Sequence, residues 1–433
     1  MSKTFLLLSL HLLISIPEYS QSPERINKNN GANWIIYNTS NSALPSNTIS
    51  SIAIDGSGNK WIGTGGGLVK FNGTNFIVAD TNNSDLPDDG ISSIAIEGSN
   101  TKWIGTGNGG LAKFDNIKWT LYNKSNSGLP DNFITSICID GDGNKWIGTW
   151  NGGLTKFDNT NWTIYNGFNS GLPDNNIFSL AIDVNSNKWI GTYHGGLAKF
   201  DGTNWTIYNT SNSGLPDNAV NCLAIDGNGN KWVGTRTKGL AKFDGTNWTI
   251  YNTSNLGLLE DLINCVAIDG NGNKWIGIGY SGCLAKFDGT NWTKYNSGNS
   301  GLPDNTVNCL AIDGNGNKWI GTNLGGLAVF NENGVVSIED KSKITPNTFL
   351  IAQNYPNPFN PSTLISYSLP IASKIKLIVY NAIGQTVKIL ENEFKNAGNY
   401  SVTFNAGELT SGIYFYKIEA GQFSQVKKMM LIK

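Results

Sequence analysis

The chain has 433 residues, with 31 Lys plus Arg against 32 Asp plus Glu and a formal net charge of −1. This balance excludes the basic patch of a nucleic-acid-binding protein and also an acidic tail. Charged residues make up 15% of the chain, against about 25% in a typical domain. Asn, Gly, Ser and Thr take their place, and this composition predicts turn-rich β structure.

The first 22 residues have the layout of a secretory signal peptide. Lys3 precedes an apolar run from Phe5 to Ile16, and small polar residues follow at Ser20 to Ser22. The run is shorter than the ~20 residues that a membrane span needs; a membrane anchor or a buried helix is the alternative. We predict a signal peptide over residues 1–22 and no transmembrane segment in the mature chain.

Seven units of similar sequence organise the chain. The pentapeptide KWIGT and its variants recur every ~43 residues, with Trp at positions 61, 103, 146, 189, 232, 275 and 319. Gly and Asn recur too often for helical repeats, and the apolar runs are short. We therefore predict an all-β chain in which residues 23–338 form a seven-bladed β-propeller of four-stranded blades.

The fifth unit shows the four predicted strands of a blade. They lie at Val220–Ile225, Lys231–Thr235, Gly239–Phe243 and Trp248–Tyr251. The turn Asp226–Asn230 is rich in Gly and Asn, which tolerate the positive φ angles of tight hairpins. An aromatic residue begins the fourth strand in nearly every unit. We expect these rings to fill the wedge between neighbouring blades.

The two ends of the repeat array complement each other. A fourth-strand motif, Trp34–Tyr37, precedes the first complete unit, whereas the last unit lacks its own aromatic motif. We predict that Trp34–Tyr37 supplies the outer strand of the seventh blade, which closes the ring and removes its open edge. An open array of seven units is the alternative.

The hairpins D-G-N-G-N-K-W-I-G-T and G-G-L-A-K-F resemble two-component regulator propeller repeats, and the resemblance covers residues 33–338. Propellers of that family often act as sensor regions ahead of a membrane span and a histidine kinase. Neither element is found in this sequence, so we do not expect the signalling role to apply.

The composition changes after residue 338. Residues 339–349 are a polar linker, and residues 350–433 alternate as short strands, which predicts a small Ig-like β-sandwich. Strands are predicted at Ile365–Leu369, Ile375–Tyr380, Thr386–Leu390, Tyr400–Phe404 and Ile413–Glu419.

This last segment resembles the C-terminal sorting domain (type A) of the type IX secretion system. The resemblance rests on N-Y-P-N-P-F-N-P, Tyr380–Gln385, Leu409–Tyr414 and the Lys427–Met429 ending. It implies handling by that secretion machinery and passage through the periplasm to the outer-membrane surface or the medium. An ordinary Ig-like module is the alternative.

Residues for catalysis are scarce. The histidines are His11, inside the predicted signal peptide, and His194, so no multi-His zinc site can form; no G-x-S-x-G elbow is present. The carboxylates mostly repeat from unit to unit, as turn formers do, at positions 55, 140, 183, 226, 269 and 313 and at 88, 131, 174, 217 and 304. We predict no enzyme activity, no cofactor and no metal.

The hairpin turns and the cysteines also recur from unit to unit. The D-G-N-G-N turns suggest calcium, but Lys231 stands where the sixth residue of an EF-hand loop is Gly. The five cysteines include an equivalent first-strand position in three successive units, Cys222, Cys265 and Cys309. Neighbouring sheets pack ~10 Å apart, too far for a disulfide, so we expect buried free thiols.

The loop between the second and third strands varies most from unit to unit. On a constant scaffold, variation of this kind indicates a binding surface, although short loops also vary when nothing constrains them. We predict ligand contacts at Trp150, Tyr193, His194, Arg236, Lys238, Tyr280, Asn108 and Asn323.

We therefore expect a secreted or cell-surface binding module for a polysaccharide or a surface protein, because aromatic rings stack on sugars and Arg or Lys pairs with carboxylates. An extracellular polysaccharide-degrading enzyme and a sensor partner of a surface complex are the alternatives.

Overall fold

The computed structural model describes residues 24–27, 33–98, 100–255, 258–280, 282–332, 334, 349–351, 354, 357–396, 398–421 and 423–432. The predicted signal peptide and, apart from residue 349, the predicted linker lie outside these ranges. Every helix or strand element among the described residues is a strand, and the chain separates into two compact units that divide between residues 335 and 336.

The first unit is a seven-bladed propeller, as the repeats predicted. The innermost strands of the blades are β3 Ile49–Ile54, β7 Ile91–Glu97, β11 Ile134–Ile139, β15 Ile177–Ile182, β19 Val220–Ile225, β23 Ile263–Ile268 and β27 Val307–Ile312. The second strands are β4 Lys60–Thr64, β8 Thr101–Thr106, β12 Lys145–Thr149, β16 Lys188–Thr192, β20 Lys231–Thr235, β24 Lys274–Ile278 and β28 Lys318–Thr322.

The outer half of each blade is equally regular. The third strands are β5 Gly67–Phe71, β9 Leu111–Phe114, β13 Leu154–Phe157, β17 Leu197–Phe200, β21 Leu240–Phe243, β25 Leu284–Phe287 and β29 Leu327–Asn331. The fourth strands of blades 1 to 6 are β6 Phe76–Ala79, β10 Trp119–Tyr122, β14 Trp162–Tyr165, β18 Trp205–Tyr208, β22 Trp248–Tyr251 and β26 Trp292–Tyr295. The prediction for the fifth unit is confirmed, except that its third strand begins one residue later, at Leu240.

The ring closes through its two ends. The strand β2 (Asn33–Tyr37) pairs antiparallel with β29 and completes blade 7, with Trp34 opposite Phe330. A further strand that the repeats did not predict, β1 (Glu24–Asn27), adds to the outer edge of β2. The innermost strand of each blade contacts that of the next, and β27 contacts β3. The closed ring is therefore confirmed and the open array is excluded.

A repeated polar network joins neighbouring blades, and blade 3 illustrates it. The indole nitrogen of Trp146 donates to Asp140 at 2.8 Å. The ammonium of Lys188, from blade 4, lies 4.7 Å from the Trp146 ring centroid and 3.9 Å from the Asp140 carboxylate. Burial opposes ionisation of Asp140, but hydrogen bonds from Trp146 and Asn144 outweigh it and hold the carboxyl pKa below its ordinary value. The repeated Asp is thus an indole acceptor as well as a turn former.

The fourth-strand aromatics lie between blades, as predicted. Trp162 stacks on Phe157 of its own blade at 4.2 Å and lies 5.5 Å from Tyr122 of the preceding blade. A Cβ at Gly128, in the connection that leads into blade 3, would come within 2.4 Å of the Trp162 Cβ. The glycine of the recurring S-G-L-P sequence therefore leaves room for the next blade's tryptophan.

The second unit is a two-sheet sandwich. Its strands are β30 Leu350–Ile351, β31 Ser362–Leu369, β32 Ser373–Asn381, β33 Thr386–Lys395, β34 Gly398–Asn405, β35 Gly412–Ala420 and β36 Phe423–Leu431. One sheet has the order β30-β31-β34 and the other β33-β32-β35-β36. The five predicted strands are confirmed with longer ends.

The strand β36 was missed because Lys427 and Lys428 interrupt its apolar pattern. Met429 and Leu431 are nonetheless buried in the core of the sandwich. Within the residues described here, no helix is long and apolar enough to cross a membrane.

Candidate ligand-binding face

The variable loops lie on the same face of the propeller as the connections between blades. The main-chain nitrogen of Trp150 donates to the carbonyl of Phe133 at 3.1 Å, and that of Arg236 donates to the carbonyl of Ala219 at 3.0 Å. Each acceptor immediately precedes the innermost strand of the same blade. We call this side the loop face, and we call the opposite side, which carries the hairpins between strands 1 and 2 and between strands 3 and 4, the turn face.

A repeated aspartate fixes the backbone of these loops. Asp174 accepts from the main-chain nitrogen of His194 at 2.7 Å, and Asp131 accepts from that of Asn151 at 2.9 Å. The equivalent carboxylates in blades 2, 5 and 7 are Asp88, Asp217 and Asp304. The loop backbone is thus constant in these blades, while the side chains that it presents differ.

Aromatic rings from blades 3 and 4 form a contiguous group on the loop face. Trp150 stacks on Phe133 at 5.5 Å and meets Phe178 edge-on at 5.3 Å. Tyr193 lies 5.1 Å from Phe178 and 6.2 Å from Trp150. We call Phe133, Trp150, Phe178 and Tyr193 the aromatic cluster. Its rings are half-buried or exposed, unlike the buried second-strand tryptophans.

Polar side chains from the neighbouring loops border the cluster. The guanidinium of Arg236 lies over the Tyr193 ring, 5.3 Å from its centroid. His194 packs edge-on against the same ring at 4.2 Å, is 73% exposed, and places Nδ1 3.7 Å from the Asp174 carboxylate. The predicted residues Trp150, Tyr193, His194 and Arg236 are therefore neighbours in the structure.

A depression of about 480 Å³ opens beside the cluster. It is lined by Arg236, Tyr280 and Asn323 from the variable loops of blades 5, 6 and 7, together with Phe178 from the cluster. Tyr280 is 70% exposed. The depression thus continues the surface formed by the aromatic cluster.

Two predicted residues stand apart from this group. Asn108, in blade 2, is exposed, and its main-chain nitrogen donates to Asp88 at 2.6 Å. Lys238 is also exposed, and its main-chain nitrogen donates to the Thr235 hydroxyl at 3.2 Å. Neither residue lines the depression or contacts an aromatic ring of the cluster.

The loop comparison missed several residues of this surface. Phe133 and Phe178 lie just before and just inside an innermost strand, and Phe178 replaces the Ser, Thr or Asn that the other blades carry at that position. Asn221, Asn264 and Asn308 occupy the equivalent position in blades 5 to 7 and also line the depression. The aromatic residue Phe178, at a position that is polar in the other six blades, could have indicated this surface from the sequence.

Within the residues that the structure describes, no three His, Cys, Asp or Glu side chains come together as a metal site. The five cysteines are free, as predicted, but only Cys222 and Cys283 are buried, whereas Cys138, Cys265 and Cys309 are partly buried. Burial raises the pKa of the Cys222 thiol to about 12, so this sulfur stays protonated and weakly reactive.

Known families match both parts of the chain. Residues 353–433 match the secretion system C-terminal sorting domain. Residues 128–151, 214–237 and 301–324 match the two component regulator propeller. No functionally curated protein matches the chain.

Solved structures resemble the chain at low identity. PorZ of Porphyromonas gingivalis, an essential surface component of the type IX secretion system, is 15% identical with a TM-score of 0.53; the match covers 94% of this chain and 64% of PorZ. This chain therefore spans less than two thirds of the length of PorZ.

Two further solved structures match a smaller share of this chain. Virginiamycin B lyase of Staphylococcus aureus, in a catalytically inactive form with quinupristin, is 10% identical with a TM-score of 0.55, covering 72% of this chain and 99% of the lyase. YCF48 bound to D1 peptide is 15% identical with a TM-score of 0.52, and the match covers 70% of this chain and 97% of YCF48. At these identities the similarity shows the fold. The chain carries two component regulator propeller repeats followed by a type IX secretion C-terminal sorting domain, as secreted or cell-surface proteins do.

Proposed function

We propose that the propeller is a non-catalytic binding module that holds a polysaccharide or a surface protein on its loop face. One observation carries this proposal: the aromatic cluster joins blades 3 and 4 into one partly exposed apolar surface, with Arg236 of blade 5 against it. Rings of this kind bury large areas at low entropic cost and dominate many binding sites.

The constant backbone beneath the cluster supports a recognition role. The Asp caps hold the loops of blades 2, 3, 4, 5 and 7 in the same place, so a change of side chain there alters the chemistry of the surface without altering its backbone geometry. Binding specificity commonly resides on loops that a rigid scaffold positions in this way. Aromatic faces suit the apolar side of a sugar ring or an apolar protein side chain.

The absence of catalysis is part of the proposal. The repeated carboxylates are engaged in structure: one set accepts from the buried indoles and another from loop nitrogens. His194 is exposed, and the carboxylate nearest to it already accepts from its main chain. A catalytic carboxylate needs an environment of its own that tunes its pKa, whereas these environments recur from blade to blade.

The proposal extends to the route of export. Handling by the type IX secretion machinery follows from the sorting domain at residues 353–433. We propose that residues 1–22 direct passage into the periplasm, that residues 23–338 are the propeller joined by a linker over 339–349, and that residues 350–433 direct passage across the outer membrane. The mature protein then acts at the cell surface or in the medium.

Binding of the full chain to arrays of glycans and of surface proteins tests the function. Replacing Trp150, Tyr193 and Tyr280 together with Ala should weaken capture of the bound ligand at least about tenfold, because the stacking faces are lost. The matched control is Phe168→Ala, which removes a ring that is 96% exposed in the connection between blades 3 and 4. This control should leave capture of the ligand unchanged.

Three results would count against the proposal. Unchanged capture by the triple variant would show that the ligand binds elsewhere. Release of shorter glycans on incubation with the intact chain would favour the degrading enzyme. Co-purification of a membrane receptor that is retained by the triple variant would favour a sensor partner.

A further inference from the structure

The depression beside the aromatic cluster contains a cation that no other blade provides. Arg occurs twice in the chain, at Arg25 and Arg236, so Arg236 is the only one within the seven units. The ion pairs among the described residues involve lysines and His194, and none involves Arg236. Its guanidinium lies over the Tyr193 ring, 5.3 Å from the ring centroid, and a guanidinium is a planar fork that matches a carboxylate.

Hydrogen-bond acceptors line the same depression. Asn221, Asn264 and Asn308 each donate a side-chain N–H to a main-chain carbonyl of the next blade, at 3.1–3.2 Å. Since a carbonyl can only accept, the NH₂ group must face it, and the amide oxygen is directed away from it. No hydrogen bond within the described part of the chain uses these three amide oxygens. Blades 5 to 7 therefore offer a row of acceptors suited to hydroxyl groups.

Aromatic rings complete the lining. Phe178 comes from the cluster, and Tyr280 comes from the variable loop of blade 6. Tyr280 has a φ of 51°, in the left-handed region, a conformation that is strained for a residue other than Gly. The Thr306 hydroxyl donates a hydrogen bond to the main-chain carbonyl of Tyr280 at 2.5 Å. The fold thus keeps an exposed ring on a strained backbone beside the acceptors.

We infer that this depression binds a hexuronic acid residue of an acidic polysaccharide. The inference rests on the proposed binding function and names its ligand class. Arg236 pairs with the sugar carboxylate, the three Asn oxygens accept from the hydroxyls, and Phe178 and Tyr280 contact the apolar ring faces. The volume of about 480 Å³ lies in the usual range for a small-ligand site. An acidic peptide would satisfy Arg236 but has few hydroxyls for the acceptor row.

Isothermal titration of the full chain separates the carboxylate from the rest of the sugar. The probes are oligomers of galacturonate, mannuronate and glucuronate, each beside its methyl ester, with an acidic peptide as a further probe. We expect at least one acid to bind about tenfold or more tighter than its ester, since the ester cannot form the ion pair. Arg236→Gln should remove this difference, and Arg236→Lys should restore it only in part.

A control cation lies on the turn face. Lys118 is exposed in the hairpin between strands 3 and 4 of blade 2, and Lys118→Gln should leave the preference for the acid unchanged. Equal affinity for acid and ester, binding to none of the acids, or a preference for the acidic peptide would each overturn the inference. Another outcome is a neutral glycan that loses binding in the triple Trp150, Tyr193 and Tyr280 variant but keeps it in Arg236→Gln. That result would support the proposed binding function and overturn the inference that the ligand is a uronate.

Discussion

The two faces of the propeller use their repeated and variable residues in opposite ways. On the turn face, the Asp–Trp–Lys network recurs almost without change, and Glu97 replaces the Asp in blade 2 with the same indole hydrogen bond at 2.8 Å. On the loop face, the backbone hydrogen bonds recur, but the side chains range from glycine to tryptophan. The same scaffold therefore carries a repeated network that joins the blades on the turn face and a set of differing side chains on the loop face.

This difference shows how to assign a role to a residue in a repeat protein. Trp146 and Trp150 are four positions apart in one blade, yet Trp146 is 2% exposed between an aspartate and the lysine of the next blade. Trp150 lies on the loop face, against the rings of Phe133 and Phe178. Trp146 recurs in every blade and belongs to the fold, whereas Trp150 occurs in one blade only and belongs to the proposed binding surface.

The largest expected effect separates these two tryptophans by stability. Trp146→Ala should lower the free energy of unfolding by about 3–5 kcal/mol, because it leaves a cavity between blades. Trp150→Ala should cost about 1 kcal/mol or less, as surface substitutions do. Urea unfolding followed by circular dichroism measures both. Equal losses would remove the distinction between the faces.

A smaller effect is expected within a single hairpin of the turn face. Asp140→Ala should cost about 1–3 kcal/mol, since the Trp146 indole loses its acceptor. Asp142, two residues later in the same turn, is exposed, and Asp142→Ala should change stability by no more than about 0.5 kcal/mol. If both variants unfold at the same urea concentration, the hydrogen bonds accepted by Asp140 do not stabilise the fold.

The smallest effect per group concerns acid stability. Burial opposes ionisation of the indole-bound carboxyls, yet hydrogen bonds from Trp and Asn lower the pKa below the ordinary 3.8 in Asp55, Asp140, Asp183, Asp226, Asp269 and Asp313. A folded pKa below the unfolded one stabilises the fold above 3.8, and this contribution disappears as the pH falls through the folded pKa.

The melting temperature should therefore fall between about pH 5 and pH 2, and Asp140→Ala should fall less steeply than the wild type. A melting temperature that stays constant across this range would contradict the stabilising role of the ionised aspartates.

Most of the fold was predictable from the sequence because seven copies reinforce each weak signal. The strand bounds, the ring closure at Trp34–Tyr37 and the inter-blade aromatics follow from period and pairing alone. The site was only partly predictable, since its partners come from different structural positions. Phe133 precedes an innermost strand and Phe178 is the second residue of one, whereas Trp150 and Tyr193 follow second strands. The contact between these rings therefore depends on how neighbouring blades pack.

Hydrogen exchange of the full chain with and without a captured ligand tests the division between the faces most directly. We predict that the ligand slows amide exchange in the loops of blades 3 to 5, at residues 149–153, 192–196 and 235–239. Exchange in the hairpins of the turn face should be unchanged, at residues 140–144, 183–187 and 226–230. Protection of those hairpins with the loops unaffected would contradict the account.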